Sequence, residues 1–301
     1  MRIRATAAAV TVSGALALTA FAMPAAQAAD NPLSTAAAQQ AAGFKAGHAA
    51  PRASTFAAAS GYDDQVGDTT ISNVVVHGGK DVVLGISAKA DFKVTFTATD
   101  DSGIDNTSAY ALVYHGADLD SSNTGALPNE PEGATVCKTV SATTSTCTQS
   151  FTVDPLDLYN TDAGSWKVYA GVQAKDYDYT IREKVKSYST KRYAKLTTNA
   201  TPEPVTKGKT LTVKGLLSRA NWDTGKYMGY TKQAVTLQYR KKTVSTYSNV
   251  KTVTSQSRTS SVYGKLSTTV TASADGYFRY KFAGTSTTPA VTSTSDFVDV
   301  R

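Results

Sequence analysis

Two groups of residues in this 301-residue sequence could do chemistry, and they sit in different halves of the chain. The first is a series of acidic turns. Asp118-Leu119-Asp120-Ser121-Ser122-Asn123 has the opening D-x-D spacing of a calcium loop, where alternate side chains converge on one hard cation. It is not an EF-hand: Asn123 stands where the sixth-position glycine would be, and Asn129 where the bidentate glutamate would be. Asp154, Asp157, Asn160 and Asp162 crowd a second loop, Asp100, Asp101 and Asp105 a third, and Asp176 with Asp178 a fourth. Aspartate is also an ordinary turn former, because its carboxylate bonds nearby backbone amides. The candidate calcium ligands are therefore Asp118, Asp120, Asn123, Asp154, Asp157 and Asp162, weighed against plain turn chemistry. No His/Cys spacing suits zinc.

The second group is aromatic and basic. The stretch Asn221–Tyr230 carries Trp222, Tyr227 and Tyr230, with Lys226, Lys232, Arg240, Lys241 and Lys242 in or after it. Aromatic faces beside cations can stack on sugars while holding an anion. Aromatics also belong in strands on propensity alone, so some of them must be core. Charge sharpens the contrast: residues 66–181 carry 6 Lys/Arg against 15 Asp/Glu, and residues 182–301 carry 21 against 6. A basic half of this kind fits an anionic cell-wall or extracellular polymer as partner.

Catalysis finds little support. There is no Gly-x-Ser-x-Gly elbow, no His-Glu-x-x-His and no glycine-rich phosphate loop after a strand. His77 and His115 both end candidate strands, so a base with Asp118 or Asp120 as its orienting carboxylate can be drawn at one rim. Such a trio can be drawn in almost any Ser/Thr-rich sandwich, and no catalytic residue is assigned.

The elements that position these groups follow from pattern. Residues 1–28 read as a signal peptide: Arg2 and Arg4 precede an Ala/Leu/Val-rich run, and Ala26-Gln27-Ala28 is a small-x-small cleavage site. Export makes nucleic acid an unnatural partner, and the apolar run is too short and interrupted for a confident membrane span. Residues 29–64, rich in Ala and Gln with few branched apolar residues, read as a flexible tail with at most a transient helix near Ala36–Ala42. From about Gln65 the period becomes two. Phe92, Val94, Phe96 and Ala98 alternate with polar residues, as do Trp166, Val168, Ala170, Val172 and Ala174 with their neighbours. Further short strands with Asp/Gly/Asn turns point to an antiparallel sandwich over 65–198, ending in a strand near Lys191–Leu196. Pro202 and Pro204 mark a junction, and a second strand-rich unit fills 199–301, with Phe278, Tyr280 and Phe282 on one face. Cys137 and Cys147 are the only cysteines, and in an exported chain they read as a disulfide clipping a hairpin.

The second unit resembles a β-sandwich region of secreted actinobacterial, streptomycete-like proteins with tandem immunoglobulin-like domains. The resemblance is carried by Ala194-Lys195-Leu196-Thr197, Pro202-Glu203-Pro204-Val205-Thr206-Lys207-Gly208-Lys209-Thr210-Leu211, Arg219-Ala220-Asn221-Trp222, Val235-Thr236-Leu237-Gln238-Tyr239-Arg240 and Ala274-Asp275-Gly276-Tyr277 with Phe282-Ala283-Gly284-Thr285-Ser286-Thr287. In the first unit, Thr97-Ala98-Thr99-Asp100-Asp101-Ser102-Gly103-Ile104 is similar to strand-end turns of bacterial immunoglobulin-like domains. The resemblance implies a fold and an extracellular compartment, and for some such proteins calcium binding. It brings no catalytic residues.

The expectation is thus an all-β chain: two tandem antiparallel immunoglobulin-like β-sandwiches after a signal peptide and a tail. The leading function is a secreted, non-catalytic binding or envelope-associated module. A calcium-binding structural protein is the alternative, and a secreted hydrolase or protease inhibitor the third.

Overall fold

The computed structural model describes residues 31–47, 63–129, 135–257 and 263–301. The signal peptide, the cleavage site and residues 48–62 of the expected tail lie outside them. One helix, α1 (Pro32–Gly47), precedes the strands. The first sandwich contains β1 (Asp64–Val66), β2 (Thr70–Val76), β3 (Val82–Leu84), β4 (Ala90–Thr99), β5 (Tyr110–His115), β6 (Thr124–Ala126), β7 (Val136–Ser141), β8 (Thr144–Val153), β9 (Gly164–Gln173) and β10 (Tyr179–Arg192). The second contains β11 (Ala194–Leu196), β12 (Asn199–Thr201), β13 (Thr210–Asn221), β14 (Lys226–Gly229), β15 (Ala234–Lys241), β16 (Ser248–Thr254), β17 (Lys265–Thr271), β18 (Gly276–Phe282), β19 (Val291–Thr292) and β20 (Asp296–Val298).

In the first sandwich, a sheet ordered β1-β10-β9-β5-β6, with β3 also on β10, faces a sheet ordered β2-β4-β8-β7. In the second, β11 and β12 flank β13 together with β14 and β17, facing a sheet ordered β16-β15-β18 with β19 and β20 on β18. These are two tandem immunoglobulin-like β-sandwiches. Pairing is antiparallel except between β3 and β10, which run parallel from Thr190↔Val82 to Arg192↔Leu84. A parallel bridge between Val205 and Val300 ties an early segment of the second sandwich to its end in the same way. Both devices cover strand edges that would otherwise expose unpaired backbone groups.

The period-two reading of the core holds. Phe92, Val94, Phe96 and Ala98 of β4 are buried against Trp166, Val168, Ala170 and Val172 of β9. Phe278, Tyr280 and Phe282 share the core of the second sandwich with Leu211, Val213, Leu217, Val235 and Leu237. Cys137 and Cys147 stand directly opposite in the β7–β8 hairpin, joined by a disulfide with Cα atoms 4.0 Å apart. A loop this short gains about 2–3 kcal/mol on the chain-entropy account.

Two expectations are corrected. Lys191–Leu196 does not form the last strand of the first unit: β10 runs on to Arg192, and Ala194–Leu196 pairs with β13, so the chain changes sandwich at Tyr193, ahead of the expected boundary at 198/199. The segment carrying Pro202 and Pro204 then lies inside the second sandwich, between β12 and β13.

The expected flexible tail is a docked helix over Pro32–Gly47. Ala, Gln and Lys favour helix, but sixteen residues alone are marginal in water, so packing must supply the rest. Leu33, Ala37 and Phe44 are buried on the outer face of the first sheet, among Leu112, Tyr114, Leu119, Tyr169, Tyr179 and Ile181. Gly171 makes room: a Cβ there would sit 2.9 Å from the Phe44 ring. Asn31 caps the helix by accepting from Leu33 N at 3.0 Å and donates to the Leu119 and Ser122 carbonyls at 2.9 and 3.0 Å. At the other end Gln173 donates to the Phe44 carbonyl and Lys45 pairs with Asp64 at 2.9 Å. Among the described residues no helix is long and apolar enough to cross a membrane.

Phe44→Ala removes the deepest aromatic anchor of α1 and is expected to weaken its docking by about 3 kcal/mol. Hydrogen exchange should then show the amides of residues 36–46 losing protection while those of β4 and β9 keep theirs. Unchanged protection in the helix would refute the anchoring role.

Candidate functional site

The six candidate calcium ligands are not brought together. Asp118 accepts from Ser121 N at 2.8 Å, and its bonds from Ser121 hold its pKa low. Asn123 and Asp157 are exposed. Asp154 caps its own short turn by accepting from Leu156 N at 2.9 Å and pairs with Lys89 at 3.3 Å. Asp162 is buried and accepts from Tyr159 N at 2.7 Å. Asp120 offers its backbone carbonyl to Asn31. Where a partner is seen, each carboxylate mostly serves its own turn, which is the competing chemistry the sequence already allowed.

Carboxylates converge elsewhere, at one end of the first sandwich. Asp68, Asp100 and Asp101 form one triad and Asp100, Asp176 and Asp178 another, each with its oxygens within 4.8 Å of one another. Asp100 is buried, which alone would raise its pKa, but bonds from Ser102 and Thr69 outweigh that and lower it. The Asp68 pKa is raised by lost solvation and by the charges of Asp101 and Asp100. Asp100, Asp101, Asp176 and Asp178 belong to the third and fourth acidic turns and Asp68 to neither, and only the pairing of strands brings them together.

The drawn histidine trio also dissolves. The carboxylate beside His115 is Asp162, at 3.9 Å, rather than Asp118 or Asp120. Burial lowers the His115 pKa, helped by Lys167 and opposed by Asp162. His77 packs edge-on to Phe92.

The aromatic loop of the second unit turns inward. Trp222 is 6% exposed and belongs to the core of the first sandwich, where its Nε1–H donates to the Gly85 carbonyl at 2.9 Å. Asn160 clamps the loop from the first sandwich: its Oδ1 accepts from Trp222 N at 3.0 Å and its Nδ2 donates to Asn221 Oδ1 and to Asp223. Tyr227 is half-buried against the same core, under Lys195 at 3.6 Å and edge-on to Tyr193. Tyr230 packs on Phe282, with the Arg219 guanidinium 3.8 Å above its ring. These three aromatics, expected as a ligand platform, are junction and core. Lys226 and Lys232 remain exposed nearby. Alternation cannot say which way a loop tryptophan points, so the sequence held no signal for this.

The remaining expected cations mark a different surface. On the outer face of the β16-β15-β18 sheet, Phe297, Tyr277 and Arg240 lie in one cross-strand row, with Arg279 and Gln238 in the next and Lys281 and Thr236 in a third. The Arg240 guanidinium sits 3.8 Å over the Tyr277 ring and 5.4 Å from that of Tyr247. Arg279 lies 3.6 Å over the Tyr247 ring, and Lys242 sits 5.3 Å over Phe297. Arg279 is steadied by Gln238 Oε1 at 2.8 Å. Lys241 and Lys242 extend the face at the exposed β15–β16 turn, where Lys242 approaches Asp275 at 3.9 Å. The inward set Phe278, Tyr280 and Phe282 implies its complement Tyr277, Arg279 and Lys281, so this face was readable by parity; Phe297 was not singled out.

A family described as "Family of unknown function (DUF5707)" matches residues 84–172. No curated protein matches the chain. Among solved structures, three N-terminal domains of the bacteriophage RB49 highly immunogenic outer capsid protein match at TM-score 0.29 and 10% identity, over 77% of this chain and 71% of that one. The full ectodomain (Ig1–Ig3) of mouse nectin-like molecule 4 matches at TM-score 0.23 and 13% identity, over 76% and 65%. A Dpr11 IG1 structure bound to DIP-gamma IG+IG2 matches at TM-score 0.25 and 7% identity, over 78% and 100%. Likenesses this distant leave the fold to rest on the sheets themselves, and none identifies a catalytic family.

Trp222→Ala opens a cavity in the first core from a residue of the second unit and is expected to cost about 3–5 kcal/mol. Thermal unfolding should register it as a lower melting temperature, accompanied by greater protease sensitivity at 193–223. A variant that melts like the parent would place the indole outside the core.

Proposed function

We propose that this protein is a secreted, non-catalytic binding module whose second sandwich holds an anionic wall or matrix polymer on the outer face of the β16-β15-β18 sheet. The observation that carries this reading is the alternation of guanidinium and aromatic ring across that face: Tyr277, Arg240, Tyr247 and Arg279. Rings fix the arginines flat and leave their edge N–H groups for carboxylate or phosphate oxygens, while exposed ring area suits sugar faces. Arg279 and Lys281 are two residues apart on one strand, so their charges repeat at about 7 Å along it. That spacing suits a linear polymer better than a compact ligand. Lys241 and Lys242 prolong the track, and the basic balance of residues 182–301 supports it.

The test is retention of the mature protein on cell walls or an immobilised anionic polysaccharide across a salt series. Arg240→Gln with Arg279→Gln is expected to weaken binding about tenfold or more, and binding by the parent should fall steeply between low and moderate salt. Equal retention of parent and double variant at low salt would overturn the assignment of this face.

A second reading keeps calcium but moves it to the acidic end of the first sandwich. The observation that favours it is that Asp100 is shared by two carboxylate triads. An ion there would offset the charges of Asp101 and Asp100, which act with lost solvation to raise the Asp68 pKa. Millimolar calcium, compared with EDTA, should then raise the melting temperature by several degrees, and Asp100→Asn should abolish the difference. Identical melting curves would end this reading.

A further inference from the structure

The outer face of the β16-β15-β18 sheet is uncovered, and the rest of the molecule carries its complement. Arg240 and Arg279 are half-buried among Tyr277, Tyr247 and Phe297, and Lys241 and Lys281 are exposed beside them. Among the described residues none of these four cations has a carboxylate within ion-pair distance. At the far end of the first sandwich three turns meet: β1–β2 with Asp68, β4–β5 with Asp100, Asp101 and Asp105, and β9–β10 with Asp176 and Asp178. Together they hold six aspartates and one lysine, Lys175. They are closely packed, since a Cβ on Gly67 would sit 1.5 Å from the Asp178 carboxylate.

Asp68, Asp101 and Asp176 are exposed, and among the described residues none of the three pairs with a cation. At the apex of the β9–β10 turn, Tyr177 adopts left-handed backbone (φ 72°), which is uncommon for a bulky residue, and is 55% exposed. An exposed aromatic within a charged rim is the usual composition of a contact anchor. The acidic end cannot reach the basic face of its own molecule. β9 runs ten residues, about 33 Å, from Gly164 at the junction to Gln173 at the acidic end. With Trp222 and Asn160 holding the junction, that end points away from the second sandwich.

We propose that the outer face of the second sandwich docks the acidic end of a second copy of this chain, joining molecules head to tail. The proposal rests on reading that face as a surface for polyanions, and it makes the protein's own acidic end a competitor of the polymer for Arg240 and Arg279. The two surfaces in the contact differ, so it is heterologous: each molecule keeps one of each free, and the contact propagates rather than closing on a two-fold axis. Guanidinium groups held flat by rings grip carboxylates edge-on, and Tyr177 meets the ring area of Tyr277 and Phe297. Exposed ion pairs are individually weak, so the association is steered by charge and sensitive to salt.

The experiment is sedimentation equilibrium of the mature protein over a concentration series, in EDTA so that no divalent cation masks the aspartates. At low salt the mass of the parent should climb past that of a dimer as concentration rises, and at about 0.5 M salt it should return to the monomer. Asp101→Lys with Asp176→Lys should stay monomeric, and so should Arg240→Glu with Arg279→Glu. An equal mixture of these two variants should associate again, because the intact face of the first meets the intact acidic end of the second. Should a reversed pair fail to fold, Asp101→Asn with Asp176→Asn and Arg240→Gln with Arg279→Gln replace them, each moving association to about tenfold higher concentration. A parent that stays monomeric at low salt overturns the contact. So does association that survives either charge reversal, or a mixture that stays monomeric. Retention on anionic polymer keeps the two readings apart: the acidic-end variant should be held at least as well as the parent. A parent that self-associates but is held by no polymer would end the polymer reading and leave this contact standing.

Discussion

The structure depends on one side chain crossing from one sandwich into the other. Trp222 leaves β13 of the second unit and is buried in the core of the first, with its single donor satisfied by the Gly85 carbonyl. An indole is a large apolar body with one polar handle, so it can fill a core only where a carbonyl waits at the right place. Gly85 supplies that carbonyl, and its missing side chain also admits the Tyr227 hydroxyl, which would lie 3.1 Å from a Cβ there. Asn160 then holds the Trp222 backbone N–H and the side chains of Asn221 and Asp223 on either side of it. The first core is completed by the second domain, so the two units are not beads on a flexible string.

That constraint sorts the basic residues of the second unit into two populations. Arg192 and Arg219 lie at the junction beside the packing that buries Trp222, where loss of solvent lowers the pKa of both, most for the buried Arg192. Arg240, Arg279, Lys242 and Lys281 lie on the opposite sheet, where rings and solvent surround them and charge costs little. The same residue type is therefore stripped of solvent in one place and set among rings and solvent in the other. Burial decides which.

The strands were largely legible in the sequence, because alternation reports burial wherever one face of a sheet is wet. Phe92 to Ala98 and Phe278 to Phe282 face inward as their spacing requires. The reading failed where a second surface intervened. Tyr169 and Ile181 on the outer face of the first sheet are fully buried, because α1 lies over them. The sequence carried a trace of this: between the inward residues of β9 stand Tyr169 and Gly171, an apolar pair in positions a solvated face would make polar. The helix itself was missed because three anchors in sixteen residues leave almost no amphipathic signal. Trp222 was missed for a related reason: residue type says that an aromatic will find a surface, and only tertiary structure says whether that surface is a ligand or the neighbouring domain. The aspartates failed differently, since each local pattern was satisfied locally and the real convergence joins turns far apart in sequence.

Charge is segregated between the two sandwiches. Residues 66–181 carry 15 acidic against 6 basic residues, and the unit built on them would repel the polyanion that the second sandwich is suited to hold. Trp222 and Asn160 hold the junction, so the acidic sandwich keeps its place beside the basic one. Under the proposed function, attraction over the outer sheet and repulsion from the acidic unit would act together to favour one track for a polyanion and disfavour others. Specificity of this kind needs no deep pocket. It would require that the relative placement of the two charges be held, and the buried tryptophan is the side chain that ties the two units together.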